Sequence, residues 1–125
     1  MIKASIVGAT GYTGAVLTDL LAGHPNVELG ALTSKSYAGK RVREIFPHLR
    51  ADGIYCEYSA PAAGECDVAF VCYPHAEAYP VVAELLDRGC RVVDLSADFR
   101  LKDTAAYQDW YGFTHPRADL VAEAV

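Results

Sequence analysis

The amino-acid sequence predicts an α/β fold with a mostly parallel sheet that has helices on both faces. Three short runs, Ile2–Val7, Val27–Leu32 and 68–72, have the length and apolar composition of strands. Helix-length amphipathic segments follow the first and third runs, so the connections are too long for hairpins. Strands that alternate with helices indicate βαβ units, and ligands of such sheets bind beyond the carboxyl ends of the strands.

The first half of the chain contains a strand, a helix, a second strand and an irregular segment. The helix that follows the first strand carries its apolar residues on one face: Val16, Leu17, Leu20 and Leu21. Gly23 is typical of its C-terminus. Beyond the second strand, 33–40 is polar and loop-like. We expect 41–46 to form a helical turn and 54–58 to form a short strand.

The second half begins with a strand at 68–72 that is apolar almost throughout, as expected for a strand covered on both faces. Four apolar residues then mark one face of a helix: Val81, Val82, Leu85 and Leu86. Pro80 is compatible with the first turn of that helix. We expect a further strand at 91–95 and short helices at 104–110 and 120–125.

The length and composition indicate one globular domain over residues 1–125. The net charge of −5 and the lack of a basic cluster make nucleic acid and anionic membranes poor candidate partners. The chain has no apolar run near the ~20 residues that span a bilayer and no signal-peptide pattern. We therefore expect a cytoplasmic protein.

Cysteine chemistry is not expected to dominate this chain. The four cysteines lack a C-x-x-C pair, so we expect reduced thiols and no metal site: Cys56, Cys66, Cys72 and Cys90. No nucleophile with a neighbouring base can be assembled from the sequence. Cys72 belongs to the buried strand, where an apolar environment raises the pKa of a thiol. We assign no catalytic residue.

The stretch G-A-T-G-Y-T-G at 8–14 lies between a strand and an amphipathic helix, as in a Rossmann-like dinucleotide-binding unit. Its spacing is G-x-x-G-x-x-G rather than G-x-G-x-x-G, so the middle glycine is displaced by one residue. Glycine there permits a tight turn and lets backbone N–H groups approach a phosphate. A purely structural turn is the alternative. The candidate cofactor-binding residues are Gly8, Thr10, Gly11, Tyr12, Thr13 and Gly14.

The end of the second strand indicates which dinucleotide would bind. NAD-binding folds place Asp or Glu there, whereas this chain has Ser34, Lys35 and Ser36. The one nearby acid, Glu28, is close to the start of the strand. A cation with two hydroxyls suits a 2′-phosphate, so we predict NADP(H) rather than NAD(H). The alternative is a solvated loop with an ordinary surface lysine.

The loops after the third and fourth strands supply further candidates. We expect Pro74 to shape the nicotinamide side of the site. His75 could face the cofactor or be a helix-cap or surface residue. Ser96 could donate to a ligand, and Arg100 could bind a phosphate or carboxylate. Arg100 could equally form a structural ion pair with Asp98.

Several motifs together resemble the N-acetyl-gamma-glutamyl-phosphate reductase family of arginine biosynthesis. Besides the glycine loop, they are T-S-K-S-Y-A-G-K at 33–40, P-H at 74–75, D-L-S-A-D-F-R at 94–100, W-Y-G at 110–112 and H-P at 115–116. The stretch at 94–100 is the most specific. Aspartate-semialdehyde dehydrogenases share the glycine loop and are the second choice.

The resemblance implies an NADPH-dependent reduction of an acyl phosphate, N-acetyl-gamma-glutamyl phosphate, to the semialdehyde. In that family a cysteine thiolate attacks the acyl phosphate before hydride transfer. Its nucleophilic Cys, in an N-P-G-C stretch, and its His are expected downstream of Val125, so we expect residues 1–125 alone to be inactive. The resemblance makes Ser34 and Lys35 the candidates for binding the cofactor phosphate, and it favours Arg100 as a contact of the substrate. Ser96 is the second candidate substrate contact. We expect the full-length enzyme to be a homo-oligomer.

Two other functions remain open from the sequence. The chain could be a non-catalytic nucleotide-binding module, such as a redox sensor, or a protein-interaction domain with a vestigial glycine loop. A binding titration with NADPH and NADH distinguishes the interaction domain from the other two.

Overall fold

The computed structural model of the chain describes residues 1–74, 77–96 and 119–120. The strands of this part of the chain are β1 (Ile2–Val7), β2 (Val27–Leu32), β3 (Val68–Val71) and β4 (Arg91–Asp94). The helices are α1 (Tyr12–Ala22), α2 (Val42–Ile45), α3 (Ala60–Ala63) and α4 (Ala78–Asp87). None of these helices is long and apolar enough to cross a membrane.

The four strands form one parallel sheet in the order β2-β1-β3-β4. The chain runs from β1 to β2 on one side and then returns to the other side of β1 as β3. The strand order therefore reverses between β1 and β3, and a crevice forms beyond the carboxyl ends of these two strands. This arrangement confirms the predicted α/β, Rossmann-like fold.

Helices cover both faces of the sheet, as the sequence predicted. Ile6 and Val7 are adjacent in β1, so their side chains point to opposite faces. Leu17 and Leu21 of α1 pack in the cluster that contains Ile6, whereas Leu85 of α4 belongs to the cluster that contains Val7. Fully burying a side chain such as Leu85 stabilises a fold by about 1.5–3 kcal/mol, and the partly buried Leu17 and Leu21 contribute less each, so the two clusters hold α1 and α4 against the sheet.

The ends of the two long helices agree with the prediction. Gly23 follows α1, and its backbone N–H donates to the carbonyl oxygens of Asp19 and Leu21. Pro80 is the third residue of α4, in the first turn, where its missing N–H costs no intrahelical hydrogen bond. Gly89, just beyond α4, has a φ of +84°, which glycine adopts more easily than other residues.

The strand predicted at 54–58 is wrong. Ile54 forms an isolated antiparallel bridge with Arg41, and Cys56 forms an isolated parallel bridge with Thr33. Because the two bridges go to different partners in opposite directions, no continuous ladder can form. The helical turn predicted at 41–46 is confirmed as α2.

One short helix, α3, was not predicted because its sequence A-P-A-A has no apolar periodicity. Its N-terminus nevertheless has a recognisable cap, since the Ser59 hydroxyl accepts a hydrogen bond from the N–H of Ala62 at 3.3 Å. The helix predicted at 104–110 lies outside the described residues. Of the helix predicted at 120–125, only Leu120 is described, and it is helical and buried.

Candidate functional site

The loop from β1 into α1 begins at Gly8, whose conformation and surroundings both require glycine. Gly8 has a φ of +82°, in the region that residues with a Cβ rarely adopt. A Cβ at this position would lie 2.9 Å from Cδ1 of Tyr73 and 3.1 Å from the carbonyl oxygen of Cys72. The first glycine therefore allows the loop after β1 to contact the loop after β3.

Gly14 and Gly11 differ sharply in the space around them. A Cβ on Gly14 would overlap the carbonyl oxygen of Gly8 and would lie 2.8 Å from Cα of Ala9. Gly14 thus lets α1 pack tightly against the loop. In contrast, a Cβ on Gly11 would meet nothing within 4 Å. The space beside Gly11 is open, as the approach of a ligand to the backbone would need.

The N-terminus of α1 is suited to an anion. Gly11 is its N-cap residue, no side chain caps the helix, and the first turn contains no acidic residue. The first N–H groups of a helix have no intrahelical partners and carry the positive end of the helix dipole. Tyr12 is 98% exposed and Thr13 is also exposed, so this end of α1 lies at the surface of the described part of the structure.

The glycine loop is hydrogen-bonded to the end of β2. The N–H of Gly8 donates to Oγ1 of Thr33 at 3.0 Å, and the N–H of Ala9 donates to the Thr33 carbonyl oxygen at 2.8 Å. The hydroxyls of Thr10 and Ser34 lie 2.9 Å apart. The structure therefore brings Thr10 together with Ser34, two of the predicted site residues.

The predicted hydroxyl donors Ser34 and Ser36 have different environments. Ser34 is buried, and its hydroxyl also accepts a hydrogen bond from the N–H of Tyr37 at 3.0 Å. This hydrogen bond holds the polar loop in a turn beside the glycine loop. Ser36 is exposed.

Lys35 contacts the loop after β3 from the opposite side of the crevice. Its Nζ lies 3.1 Å from Oε1 of Glu77 and 4.7 Å from the ring centroid of Tyr73. The hydrogen bond to Glu77 raises the pKa of Lys35 above its ordinary value. Lys35 is therefore protonated at neutral pH.

Lys35 lies in an open pocket of about 480 Å³ at this edge of the sheet. Its lining residues come from the loop after β2, the segment before α3, the loop after β3 and α4: Ser34, Lys35, Glu57, Tyr58, Tyr73, Glu77 and Val81. The pocket thus has two aromatic side chains and one lysine, with two carboxylates beside them.

Tyr58 is held neutral in this pocket. Its hydroxyl donates to Oε2 of Glu84 at 3.0 Å. Burial, followed by this hydrogen bond, raises the pKa of Tyr58 above its ordinary value. A neutral phenol presents an apolar ring to the pocket without a further negative charge.

The predicted residues of the loop after β3 are only partly described. Pro74 is exposed, three residues beyond the end of β3, and its carbonyl oxygen accepts from the N–H of Glu77 at 3.2 Å. His75 lies outside the described residues.

At the end of β4, Ser96 is buried and bound to Asp94. Its N–H and its hydroxyl donate to the two carboxylate oxygens of Asp94 at 2.9 Å and 3.0 Å. The hydroxyl that was predicted to contact a substrate is thus engaged in a local turn. Arg100 and Asp98 lie outside the described residues, with most of the D-L-S-A-D-F-R stretch.

Cys72 lies at the crevice as a thiol, not a thiolate. Burial, with a smaller effect from the Asp94 carboxylate, raises the pKa of Cys72 to about 11. At neutral pH such a cysteine is a poor nucleophile, as the sequence indicated. Within the described ranges, no group of three or more His, Cys, Asp or Glu side chains could hold a metal ion.

Three residues of this site were missed from the sequence. Thr33 lies in the quoted 33–40 motif, but its hydrogen bond to Gly8 could not be known before the two loops were placed together. Tyr73 precedes Pro74 at a strand end, a position that should have made it a candidate. Glu77 is 42 residues from its partner Lys35, and no local pattern indicated the pair.

The sequence model of the family described as semialdehyde dehydrogenase, NAD binding domain, matches residues 3–112 of the chain. The chain belongs to this family. The semialdehyde dehydrogenase NAD-binding domain takes a nicotinamide dinucleotide as its cofactor class, and the glycine loop and crevice described above fit such a ligand.

Curated relatives are similar over the whole chain. The N-acetyl-gamma-glutamyl-phosphate reductase of Saccharophagus degradans is 50% identical over 127 aligned residues, which cover 100% of this chain and 37% of that protein. The enzyme of the same name from Nitrosococcus oceani is 51% identical with the same coverage of both proteins. The chain therefore spans little more than a third of the length of these relatives.

Solved structures with this fold include members of the same family. Aspartate-semialdehyde dehydrogenase with NADP from Candida albicans has a TM-score of 0.68 and 28% identity, covering 80% of this chain and 31% of that one. A Rex-family repressor, RSP, in complex with β-NAD⁺ and operator DNA has a TM-score of 0.55 at 14% identity, covering 91% of this chain and 63% of that one. The second likeness shows the fold alone.

Proposed function

We propose that the chain is the NADP(H)-binding, N-terminal domain of an N-acetyl-gamma-glutamyl-phosphate reductase. The observation that carries this proposal is the similarity to enzymes of that name, at 50–51% identity over the entire chain. The complete protein would reduce N-acetyl-gamma-glutamyl phosphate to N-acetylglutamate semialdehyde. We propose a cytoplasmic location, because the cysteines of this chain lack a C-x-x-C pair and are expected to be reduced thiols.

The glycine loop is the proposed pyrophosphate site. Open space beside Gly11 and the uncapped N-terminus of α1 allow backbone N–H groups, including those of Tyr12 and Thr13, to donate to phosphate oxygens. Gly8 and Gly14 maintain the close packing that shapes the loop, and Thr10 ties it to Ser34. A bound reduced dinucleotide supplies a hydride for the reaction. Pro74 is proposed to border its nicotinamide end.

The preference for NADP(H) is proposed from the end of β2. That end carries Thr33, Ser34, Lys35 and Ser36 and no acid, whereas Glu28 is the second residue of the strand, at the edge away from the crevice. Lys35 remains protonated, and its exposed position lets it reach a 2′-phosphate. Ser34 and Ser36 are the proposed hydroxyl ligands beside it.

The residues that carry out the reduction itself are proposed to lie beyond this domain. Cys72 is protonated at neutral pH, and the domain spans 37% of its relatives. We keep Ser96 and Arg100 as the proposed substrate contacts of this chain. Turnover of N-acetyl-gamma-glutamyl phosphate by the 125-residue chain alone would contradict this division of roles.

An aspartate-semialdehyde dehydrogenase domain is the second candidate. The NADP complex of the Candida albicans enzyme favours it through a shared fold and 28% identity. The reductases are closer in sequence at about twice that identity and align with the complete chain. The first assignment is therefore preferred.

A binding titration of the purified chain with NADPH and NADH tests the cofactor assignment. We expect NADPH to bind more tightly, and Lys35→Glu to reduce that preference by about tenfold, because a charge pair near a protein surface contributes on the order of 1 kcal/mol or more. Lys40→Glu is the matched control, since Lys40 is an exposed lysine of the same loop. An unchanged preference in Lys35→Glu would contradict the role of Lys35.

A further inference from the structure

Glu77 pairs with Lys35 across the pocket, although the two residues belong to different crevice loops. Their Nζ–Oε1 distance is 3.1 Å, and Lys35 lies at the same time over the ring of Tyr73. Glu77 is the N-cap residue of α4, yet its side chain makes no capping hydrogen bond to that helix. The carboxylate is directed to Lys35 instead.

Among the residues that the structure describes, the pair leaves the lining of the pocket without a free positive charge. The lining contains two carboxylates, Glu57 and Glu77, and one lysine. A 2′-phosphate that approaches Lys35 must therefore compete with the Glu77 carboxylate, which repels it. A dinucleotide with an unmodified ribose hydroxyl meets no such competition, because it carries no charge at this position.

We propose that Glu77 is a positioning residue that sets the discrimination between NADPH and NADH by competing with the 2′-phosphate for Lys35. In the free protein Glu77 holds Lys35 against Tyr73, beside Ser34, at the place where the phosphate is expected. On binding, the more highly charged phosphate displaces the carboxylate. This inference rests on the proposed function.

The exposure of the pair makes such an exchange possible. The side chains of Lys35 and Glu77 are 65% and 51% exposed. Ion pairs with this exposure are weak, because water and salt screen both charges. The competing carboxylate should therefore lower the affinity for NADPH by no more than about fivefold, and high salt should reduce the difference.

The test is a titration of the full 125-residue chain with NADPH and with NADH, followed by the quenching of protein fluorescence. Glu77→Gln removes the negative charge and preserves the shape of the side chain. We expect it to tighten NADPH binding about two- to fivefold at ~0.05 M salt and to leave NADH binding unchanged. The gain should shrink at ~0.5 M salt, and should be lost in the Lys35→Gln background.

Two further variants separate this role from a general charge effect or a helix defect. Glu57→Gln removes a carboxylate from the same pocket, and we expect a smaller gain because Lys35 pairs with Glu77. Glu77→Asn also removes the charge and replaces the side chain with a shorter amide at the start of α4, so it should tighten NADPH binding like Glu77→Gln. Equal gains from Glu57→Gln and Glu77→Gln would overturn the competition for Lys35.

The remaining outcomes distinguish this inference from the proposed function. An unchanged NADPH-to-NADH ratio in Glu77→Gln, in a chain that binds NADPH, would overturn the inference alone. Weaker NADH binding in Glu77→Gln would also overturn it, because Glu77 would then act as an acidic ligand of the ribose hydroxyls. A wild-type chain that binds neither dinucleotide would overturn the proposed function and the inference together.

Discussion

The two halves of the crevice are built in different ways. The glycine loop is determined by backbone geometry, since Gly8 has a positive φ and a Cβ on Gly14 would overlap the backbone. The pocket around Lys35 is determined by side chains, and its central contact is an ion pair with more than half of each side chain in water.

The fold therefore requires the packing of the glycine loop, whereas the side chains around Lys35 can vary without loss of the fold. Substitution of Gly14 would place a Cβ against the backbone of Gly8 and Ala9, which cannot move without moving β1 or α1. The ion pair between Lys35 and Glu77 is screened by water and contributes at most about 1 kcal/mol to the free energy of unfolding. We therefore expect the glycine loop to control stability and binding together, and the lysine pocket to control only the choice between dinucleotides.

Gly14→Ala should have the greatest effect. The added methyl would overlap the Gly8 carbonyl oxygen and lie 2.8 Å from Cα of Ala9. Overpacking of this kind costs about 3 kcal/mol, of which the better helix propensity of alanine recovers at most about 1 kcal/mol. We expect urea unfolding to give a net loss of about 2 kcal/mol in the free energy of unfolding.

Gly11→Ala is the matched control for that variant, because its methyl group would meet nothing within 4 Å. We expect a change within about 0.5 kcal/mol, since a poorer N-cap and a less flexible unfolded chain nearly cancel. Equal losses in the two variants would show that the loop is not held by the packing of Gly14.

Thr33→Val tests the link between the loops. The part-buried N–H of Gly8 would lose its acceptor, the Thr33 hydroxyl 3.0 Å away, while the side-chain shape is retained. An unsatisfied buried N–H costs about 1–3 kcal/mol. We expect a loss near 1.5 kcal/mol and faster hydrogen exchange at the Gly8 amide. Thr33→Ser retains the hydroxyl and should keep that amide protected; rapid exchange in Thr33→Ser would argue against the link.

The free energy of unfolding should depend on pH in the range where the Cys72 thiol ionises. Its pKa is raised to about 11 in the folded chain from an ordinary value near 9.0, mainly by burial. The folded chain thus holds this proton more tightly, so stability is lost as the pH rises from 9 towards 11. We expect a fall on the order of 1 kcal/mol, since the thiol is only partly buried. In Cys72→Ala the fall should be smaller, and an identical fall would assign it to other groups.

Lys35→Gln should have the smallest effect on stability. Removing one partner of an exposed ion pair changes the free energy of unfolding by less than about 0.5 kcal/mol. Thermal unfolding of the variant beside Lys40→Gln checks this expectation. A loss above about 1 kcal/mol in Lys35→Gln alone would make the pair a structural element, and the contrast between the two halves of the crevice would fail.

Much of the fold could be predicted because its elements depend on local pattern. The strand β1, its glycine loop and α1 follow one another directly, and each has a periodicity or a turn residue that identifies it. The strand prediction for 54–58 was wrong because the apolar and aromatic residues of this segment suit a strand. Its single bridges to Arg41 and Thr33 depend on tertiary placement. The contacts of the site also depend on tertiary placement. Gly8 is hydrogen-bonded to Thr33, and Lys35 to Glu77, and each pair joins distant segments of the chain.

The central position of β1 affects the order in which the crevice can be assembled during synthesis. The ribosome synthesises β1 first. The N–H of Cys72 donates a hydrogen bond to the carbonyl oxygen of Val7 in β1, but Cys72 is synthesised much later. At about 5–20 residues per second, the ribosome needs several seconds to add the intervening chain. During that time the nascent glycine loop lacks its contact with Tyr73. A dinucleotide can therefore meet the complete crevice only after β3 has left the ribosome.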